Sequence, residues 1–142
     1  NSTRLSDVLG QEGILIYAGY DINELADKAS YEEVVYLLWY GHLPNPTQLA
    51  DLQRRLRHER DLPVGVIEFI QKAPRTSNPM DVLRTAVSML GLYDDEADIE
   101  GEAESANRRR AISITAKVGV IAAYFHRARQ GLDLPPVRKD LG

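Results

Sequence analysis

Apolar residues recur along most of this chain at the three- and four-residue spacing of helices, and polar caps, prolines and glycines separate one apolar run from the next. In the third run, Leu49, Leu52 and Leu56 line one face while charged residues line the other. The pattern predicts an all-α fold with helices at about residues 22–28, 31–40, 46–60, 63–72, 79–90 and 105–130.

The helix over residues 31–40 depends on its caps. Residues 34–40 (VVYLLWY) are β-branched and aromatic, and on propensity alone they are typical of a strand. However, Ser30 followed by Glu33 forms a capping box, and Gly41 stands where a left-handed residue commonly ends a helix. We therefore predict a helix that is buried on nearly all sides.

One strand signal stands out near the start of the chain. Residues 14–17 (ILIY) form a short β-prone run between glycines, and residues 5–8 can pair with them across Gly10. The sequence therefore predicts a small β-hairpin over residues 4–17. The chain of 142 residues has no internal repeat or Gly/Ser linker, and one compact domain of this size buries roughly 68–70% of its unfolded surface.

Composition narrows the class of protein. Hydrophobic residues make up 44% and charged residues 27% of the chain, which is typical of an ordinary globular protein. The absence of cysteine excludes thiol nucleophiles, thiolate metal sites and disulfides. A net charge of −4 disfavours nucleic acid and anionic membranes as partners, and the sequence contains neither a signal-like segment nor a long apolar run. We therefore expect a cytoplasmic protein.

Candidate chemistry is sparse. His42, His58 and His126 have no partner at the spacing of metal ligands or of a base with its orienting carboxylate. The acidic segment 94–104 resembles a calcium-binding loop, but Asn107 stands where such a loop needs a bidentate glutamate. We therefore expect no metal site, no cofactor-binding residue and no catalytic residue in this chain.

Two arginine-rich segments, residues 54–60 and 108–110, offer a third hypothesis, contact with nucleic-acid phosphates. Both segments follow or interleave with acidic residues, and the chain as a whole is acidic. Exposed helix faces with local ion pairs explain both segments without a nucleic-acid partner. Nucleic-acid binding is therefore the weakest of the alternatives.

The chain resembles the citrate synthase family in two ordered blocks. The first contains GILIYAGYDI at residues 13–22 and ASYEEVVYLLWYG at residues 29–41, and the second contains NPMDVLRTAVS at residues 78–88. The resemblance is to the N-terminal part of the large helical domain, in the bacterial and archaeal branch that includes 2-methylcitrate synthases. Ala18 replaces the arginine, and Asn78 the histidine, that the family usually has.

The resemblance implies an enzyme that condenses acetyl-CoA or propionyl-CoA with oxaloacetate, through an aspartate base assisted by two histidines. In the family these residues lie downstream, around and beyond a His-Gly-Gly motif that no position here matches. We therefore expect an incomplete domain that is inactive alone and acts as scaffold for the remainder of the enzyme. The alternative is a free-standing helical protein-interaction module with the same fold.

The resemblance also implies a homodimer that forms through helices corresponding to residues 79–90 and 107–129. Both helices carry apolar stripes that are extensive for a small domain to bury within itself. The candidate interface residues are Met80, Leu83, Val87, Leu90, Ile114, Val118, Ile121 and Phe125.

Overall fold

The computed structural model describes residue 3, residues 5–94 and residues 103–140. Within these residues, six α-helices follow a three-stranded antiparallel sheet, which confirms the helical fold with a small β-element near the N-terminus. The strands are β1 (Ser6–Leu9), β2 (Ile14–Tyr17) and β3 (Tyr20–Asp21). The helices are α1 (Ile22–Lys28), α2 (Tyr31–Tyr40), α3 (Pro46–His58), α4 (Val64–Lys72), α5 (Pro79–Leu90) and α6 (Ala103–Arg129).

Several helix ends differ by one or two residues from the predicted ends. Helix α3 ends at His58 rather than at residue 60, and the side chains that follow bind other parts of the chain. Pro63 caps α4 with φ −56° and ψ 144° rather than serving as its first residue. Helix α6 begins at Ala103 and ends at Arg129, slightly before the predicted range at both ends.

The chain divides into two compact units, Asn1–Arg54 and Arg55–Gly142. In the first unit, β2 pairs antiparallel with β1 on one side and with β3 on the other, and α1 packs against β2 and β3. The predicted hairpin is thus present, although Arg4 lies outside the described residues. Strand β3 was not predicted, because a two-residue strand gives no pattern to detect.

A tight turn joins β2 to β3. Both of its central residues have positive φ, 45° at Ala18 and 90° at Gly19, which is the backbone of a type I′ turn. Such turns follow the twist of the paired strands and favour Asn-Gly. Among the described residues, Ala18 is the only non-glycine with positive φ, so its Cβ carries steric strain of roughly 1–2 kcal/mol.

Replacing Ala18 with asparagine is expected to raise the free energy of unfolding by roughly 0.5–1 kcal/mol, because asparagine tolerates this conformation better than alanine. Urea denaturation followed by circular dichroism measures the change. The matched control is Gly19→Ala in the same turn, which is expected to be destabilising by a similar amount or more. A loss of stability in Ala18→Asn would mean that packing of the half-buried methyl group outweighs the backbone strain.

The caps of α2 override the β-propensity of its sequence. The Ser30 backbone N–H donates to Glu33 Oε2 (2.7 Å), and the Glu33 backbone N–H donates to Ser30 Oγ (3.3 Å). The bond from the Ser30 N–H, followed by that from its hydroxyl, lowers the pKa of the Glu33 carboxyl. The helix is less enclosed than predicted, because only Tyr36 and Leu37 are buried and the rest of the apolar run is half-buried.

The second unit has its core between α4, α5 and α6. The buried side chains are Leu62, Val66, Ile70, Val82, Ala86, Ile121, Tyr124 and Phe125. The segment that follows α6 has no regular structure, but Leu134 and Val137 pack against this core. The Tyr124 hydroxyl fixes the segment by donating to the carbonyl oxygen of Pro135 (2.5 Å).

Three consecutive residues after α3 each bind a distant part of the second unit, and we call residues 59–61 the α3 corner. Its contacts are Glu59 with Lys117 of α6, Arg60 with the carbonyl oxygen of Arg138, and Asp61 with Lys139. The contacts span 58 and 78 residues of sequence. The corner therefore ties the start of the unit to α6 and to the segment after it.

Candidate functional site

The eight candidate interface residues of α5 and α6 fall into two groups. Ile121 and Phe125 lie in the core of the second unit, with 0% and 4% of their surface exposed, so they are core residues rather than surface residues. The other six lie nearer the surface: Met80 and Ile114 are exposed, and Leu83, Val87, Leu90 and Val118 are half-buried. The reason is that α5 turns Val82 and Ala86 inward, and α6 meets them with Ile121 and Phe125.

One face of α6 is free of charge over three turns. Ala111, Thr115, Val118, Gly119 and Ala122 share it, at helical spacings of three and four residues, and we call it the α6 face. Gly119 and Ala122 are exposed, and the other three are half-buried. Small side chains of this kind allow another helix to approach closely. The α6 face therefore suits contact with a second helix.

The single charge between residues 111 and 125 points away from this face. The Lys117 side chain is 11% exposed, and its ammonium donates to Glu59 Oε2 (3.1 Å) and to Ser113 Oγ (2.5 Å). Partial burial alone would raise the pKa of the Glu59 carboxyl. The hydrogen bond and charge of Lys117, with smaller contributions from Ser113 and His58, instead lower this pKa below its usual value.

Sequence reasoning missed Lys117, although a signal for it existed. It is the only charged residue in the run from Ala111 to Phe125, and Ser113 lies one turn before it. A lone charge in such a run needs a buried partner. The partner, Glu59, lies 58 residues earlier in the chain, so no local pattern points to it.

The histidines make local contacts only. His42 Nδ1 lies 2.9 Å from the carbonyl oxygen of Leu43, and its ring meets the edge of Tyr36. His58 is exposed, with Nδ1 3.6 Å from Glu59 Oε1. His126 lies exposed in the last turn of α6.

No group of three or more histidine, aspartate or glutamate side chains is arranged to hold a metal ion in the part of the chain that is described. Most of the acidic segment, residues 95–102, lies outside the described residues. In the described ranges, no helix has both the length and the apolar character needed to cross a bilayer.

The arginine-rich segments form ion pairs along and between helices. Arg108 pairs with Glu104 one turn away (2.8 Å), Arg110 pairs with Asp94, and Arg54 pairs with Asp51. These contacts support the interpretation of both segments as solvated helix faces rather than phosphate-binding surfaces, since such pairs contribute only tenths of a kcal/mol each.

Comparison with known proteins identifies the family. The family model described as "Citrate synthase, C-terminal domain" matches residues 1–142. The chain belongs to the citrate synthase family. Its matches lie in the N-terminal part of the family's full-length members, as the two sequence blocks predicted.

Individual members of the citrate synthase family agree. Citrate synthase 2 of Bacillus subtilis is 44% identical over 129 residues, covering 90% of this chain and 34% of that protein. 2-Methylcitrate synthase 2 of Corynebacterium glutamicum is 39% identical over 132 residues, covering 93% and 34%. The crystal structure of citrate synthase from Pyrobaculum aerophilum superposes with a TM-score of 0.91 at 36% identity, covering 100% of this chain and 37% of that one. The chain thus spans about a third of the length of its relatives.

Proposed function

We propose that this chain supplies the N-terminal part of the large helical domain of an acyltransferase that condenses acetyl-CoA or propionyl-CoA with oxaloacetate. Its role there is to form scaffold and a self-association surface, and the catalytic residues belong to the remainder of the enzyme. The observation that carries the proposal is the match of the whole chain to one enzyme family, with a TM-score of 0.91 to a citrate synthase.

The side chains themselves favour a structural role. Lys117, the one buried charged residue among those described, is paired with Glu59 and Ser113. His42 and His58 contact only neighbours in sequence or a nearby ring, so neither has the oriented carboxylate partner of a general base. Both acyl groups stay in the proposal, because the relatives include citrate synthases and 2-methylcitrate synthases.

Self-association would use α5 and α6. The α6 face is uncharged, and exposed Met80 and Ile114 extend the apolar surface of these two helices. A symmetric dimer places the same patch on both copies, so a surface of small and apolar side chains is self-complementary. Sedimentation velocity over a concentration series measures this property, and a chain that remains monomeric at high concentration contradicts this part of the proposal.

A chimera tests the enzymatic part. When this chain replaces the matching third of Bacillus subtilis citrate synthase 2, the hybrid is expected to release coenzyme A thiol from acetyl-CoA and oxaloacetate. Its activity should lie within roughly tenfold of the parent, because a tenfold rate change corresponds to only about 1.4 kcal/mol of mismatch at the new contacts. The readout is the appearance of free thiol.

Two controls accompany the chimera. The unaltered Bacillus enzyme gives the reference rate, and the 142-residue chain alone, given both substrates, is expected to release no thiol. A chimera that folds and self-associates but releases no thiol contradicts the enzymatic proposal and favours the helical interaction module. Thiol release by the isolated chain contradicts the assignment of the catalytic residues to the remainder.

A further inference from the structure

His126 continues the α6 face by one turn. It lies four residues after Ala122 and seven after Gly119, so the three share one side of the helix. Its side chain is exposed, and within the described residues it forms no hydrogen bond or ion pair. It is therefore the one residue of this continuous surface whose charge changes between pH 5 and 8, the range in which histidines generally titrate.

Charged groups on the elements that pack against α6 are occupied elsewhere. The pairs are Asp81 with Arg84 on α5, Glu68 with Lys72 on α4, and Glu59 with Lys117 at the α3 corner. The remaining charged groups near this end of α6 are Arg127, whose Nε donates to the carbonyl oxygen of Asp133, Asp133 itself, Arg129, and Arg75, whose carbonyl oxygen accepts from Arg129. None of these groups makes a described contact with the His126 ring. The flanking charges on α6 itself are both positive.

We propose that protonation of His126 weakens the self-association of this chain. The inference rests on the proposed use of the α6 face as a contact between two copies. Burial of an imidazolium in such a contact removes its hydration, which is unfavourable without a counter-charge. In a free chain the protonated ring is instead favoured, because it is hydrated and lies at the negative end of the α6 dipole.

Both orientations of two paired α6 helices give the same sign of effect. In an antiparallel pair centred on Val118 and Gly119, His126 lies opposite the arginine-rich residues 108–110 of the second copy. In a parallel pair, it lies opposite the second copy's own His126. A positive charge then meets a positive charge in either case, so protonation favours separation.

The test is sedimentation velocity of the full 142-residue chain at pH 8 and pH 6 at constant ionic strength. The dissociation constant of the wild-type dimer is expected to rise roughly tenfold or more at pH 6, since a dimer carries two such histidines. General electrostatics works in the opposite direction, because net charge falls towards zero near the isoelectric point of about 5.4 and promotes association. A weaker dimer at pH 6 therefore requires a specific group.

Three variants isolate the group. His126→Gln is expected to keep the wild-type affinity at pH 8 and to lose the pH response, whereas His126→Lys should associate weakly at both pH values. His58→Gln, an exposed histidine on α3, is the matched control and should respond like the wild type. Circular dichroism verifies that each variant keeps its helix content.

The outcomes separate this inference from the proposed function. A wild-type dimer with the same affinity at both pH values, or a His126→Gln variant that keeps the pH response, overturns the role of His126 and leaves self-association standing. Absence of association at pH 8 in every variant overturns both.

Discussion

Replacing Ile121 with alanine is expected to lower the free energy of unfolding of the second unit by about 2–5 kcal/mol. Ile121 is 0% exposed and lies in the core formed by α4, α5 and α6. Its truncation removes apolar contacts and leaves a cavity that a close-packed core fills only in part. Urea denaturation followed by circular dichroism, with an unchanged denaturant slope, measures the loss.

Ile114→Ala is the matched control, because Ile114 lies two turns earlier on the same helix and is 40% exposed. It should cost less than about 1 kcal/mol of stability. Equal losses in the two variants would contradict the assignment of Ile121 to the core. An Ile121→Ala variant with normal stability and no self-association would instead make Ile121 an interface residue, as the family resemblance first implied.

Removal of the Glu59 carboxylate is expected to have the second largest effect. Glu59→Gln leaves the Lys117 ammonium 11% exposed without its counter-charge, and we expect a loss of about 2–3 kcal/mol in the free energy of unfolding. The value lies at the low end for a buried pair, because the Glu59 side chain is 38% exposed. The double variant Glu59→Gln/Lys117→Met should recover most of the stability, since it removes both charges.

The same pair predicts a pH dependence. The pKa of Glu59 is lower in the folded chain than its model value of 4.5. Its contribution to stability is therefore fully present above about pH 4.5 and is lost as the pH falls through the lower folded value. Wild type should thus lose more stability than Glu59→Gln in this acidic range. Parallel stability curves for the two proteins would mean that the Lys117 contact contributes nothing.

Local signals predicted those parts of the fold that depend on neighbouring residues. The Ser30 and Glu33 box and Gly41 identified α2 against its β-propensity, and the observed hydrogen bonds are the predicted ones. Asn78 with Pro79 identified the start of α5, where the Asn78 side chain accepts from the Met80 N–H (2.9 Å). These features need only residues within one turn, so a sequence contains them in full.

Orientation was harder to predict. The stripe chosen on α5 contains Leu83 and Val87, whereas the structure buries Val82 and Ala86, one residue earlier in each case. The C-terminal half of α6 is apolar on most sides, so its sequence names no inward face. Which side is buried depends on the helices packed against it, and hence on contacts between residues far apart in the chain.

The candidate site shows the same division. The two sequence blocks identified the family, because they preserve residue identities over long runs. The buried Lys117, by contrast, depends on a partner 58 residues away, and the placement of Ile121 and Phe125 in the core depends on α4 and α5. The contact between two copies stays a prediction, since it depends on a second chain.

The α3 corner closes a long loop without a covalent bond. Residues 60 and 61 hold residues 138 and 139 across 78 positions, so nearly the whole second unit lies inside the loop. The entropy of closing so long a loop opposes these contacts until α4, α5 and α6 have drawn its ends together. We therefore expect the corner to act as a clasp, the last contact to fasten as the unit assembles and among the first to let go when it is stressed.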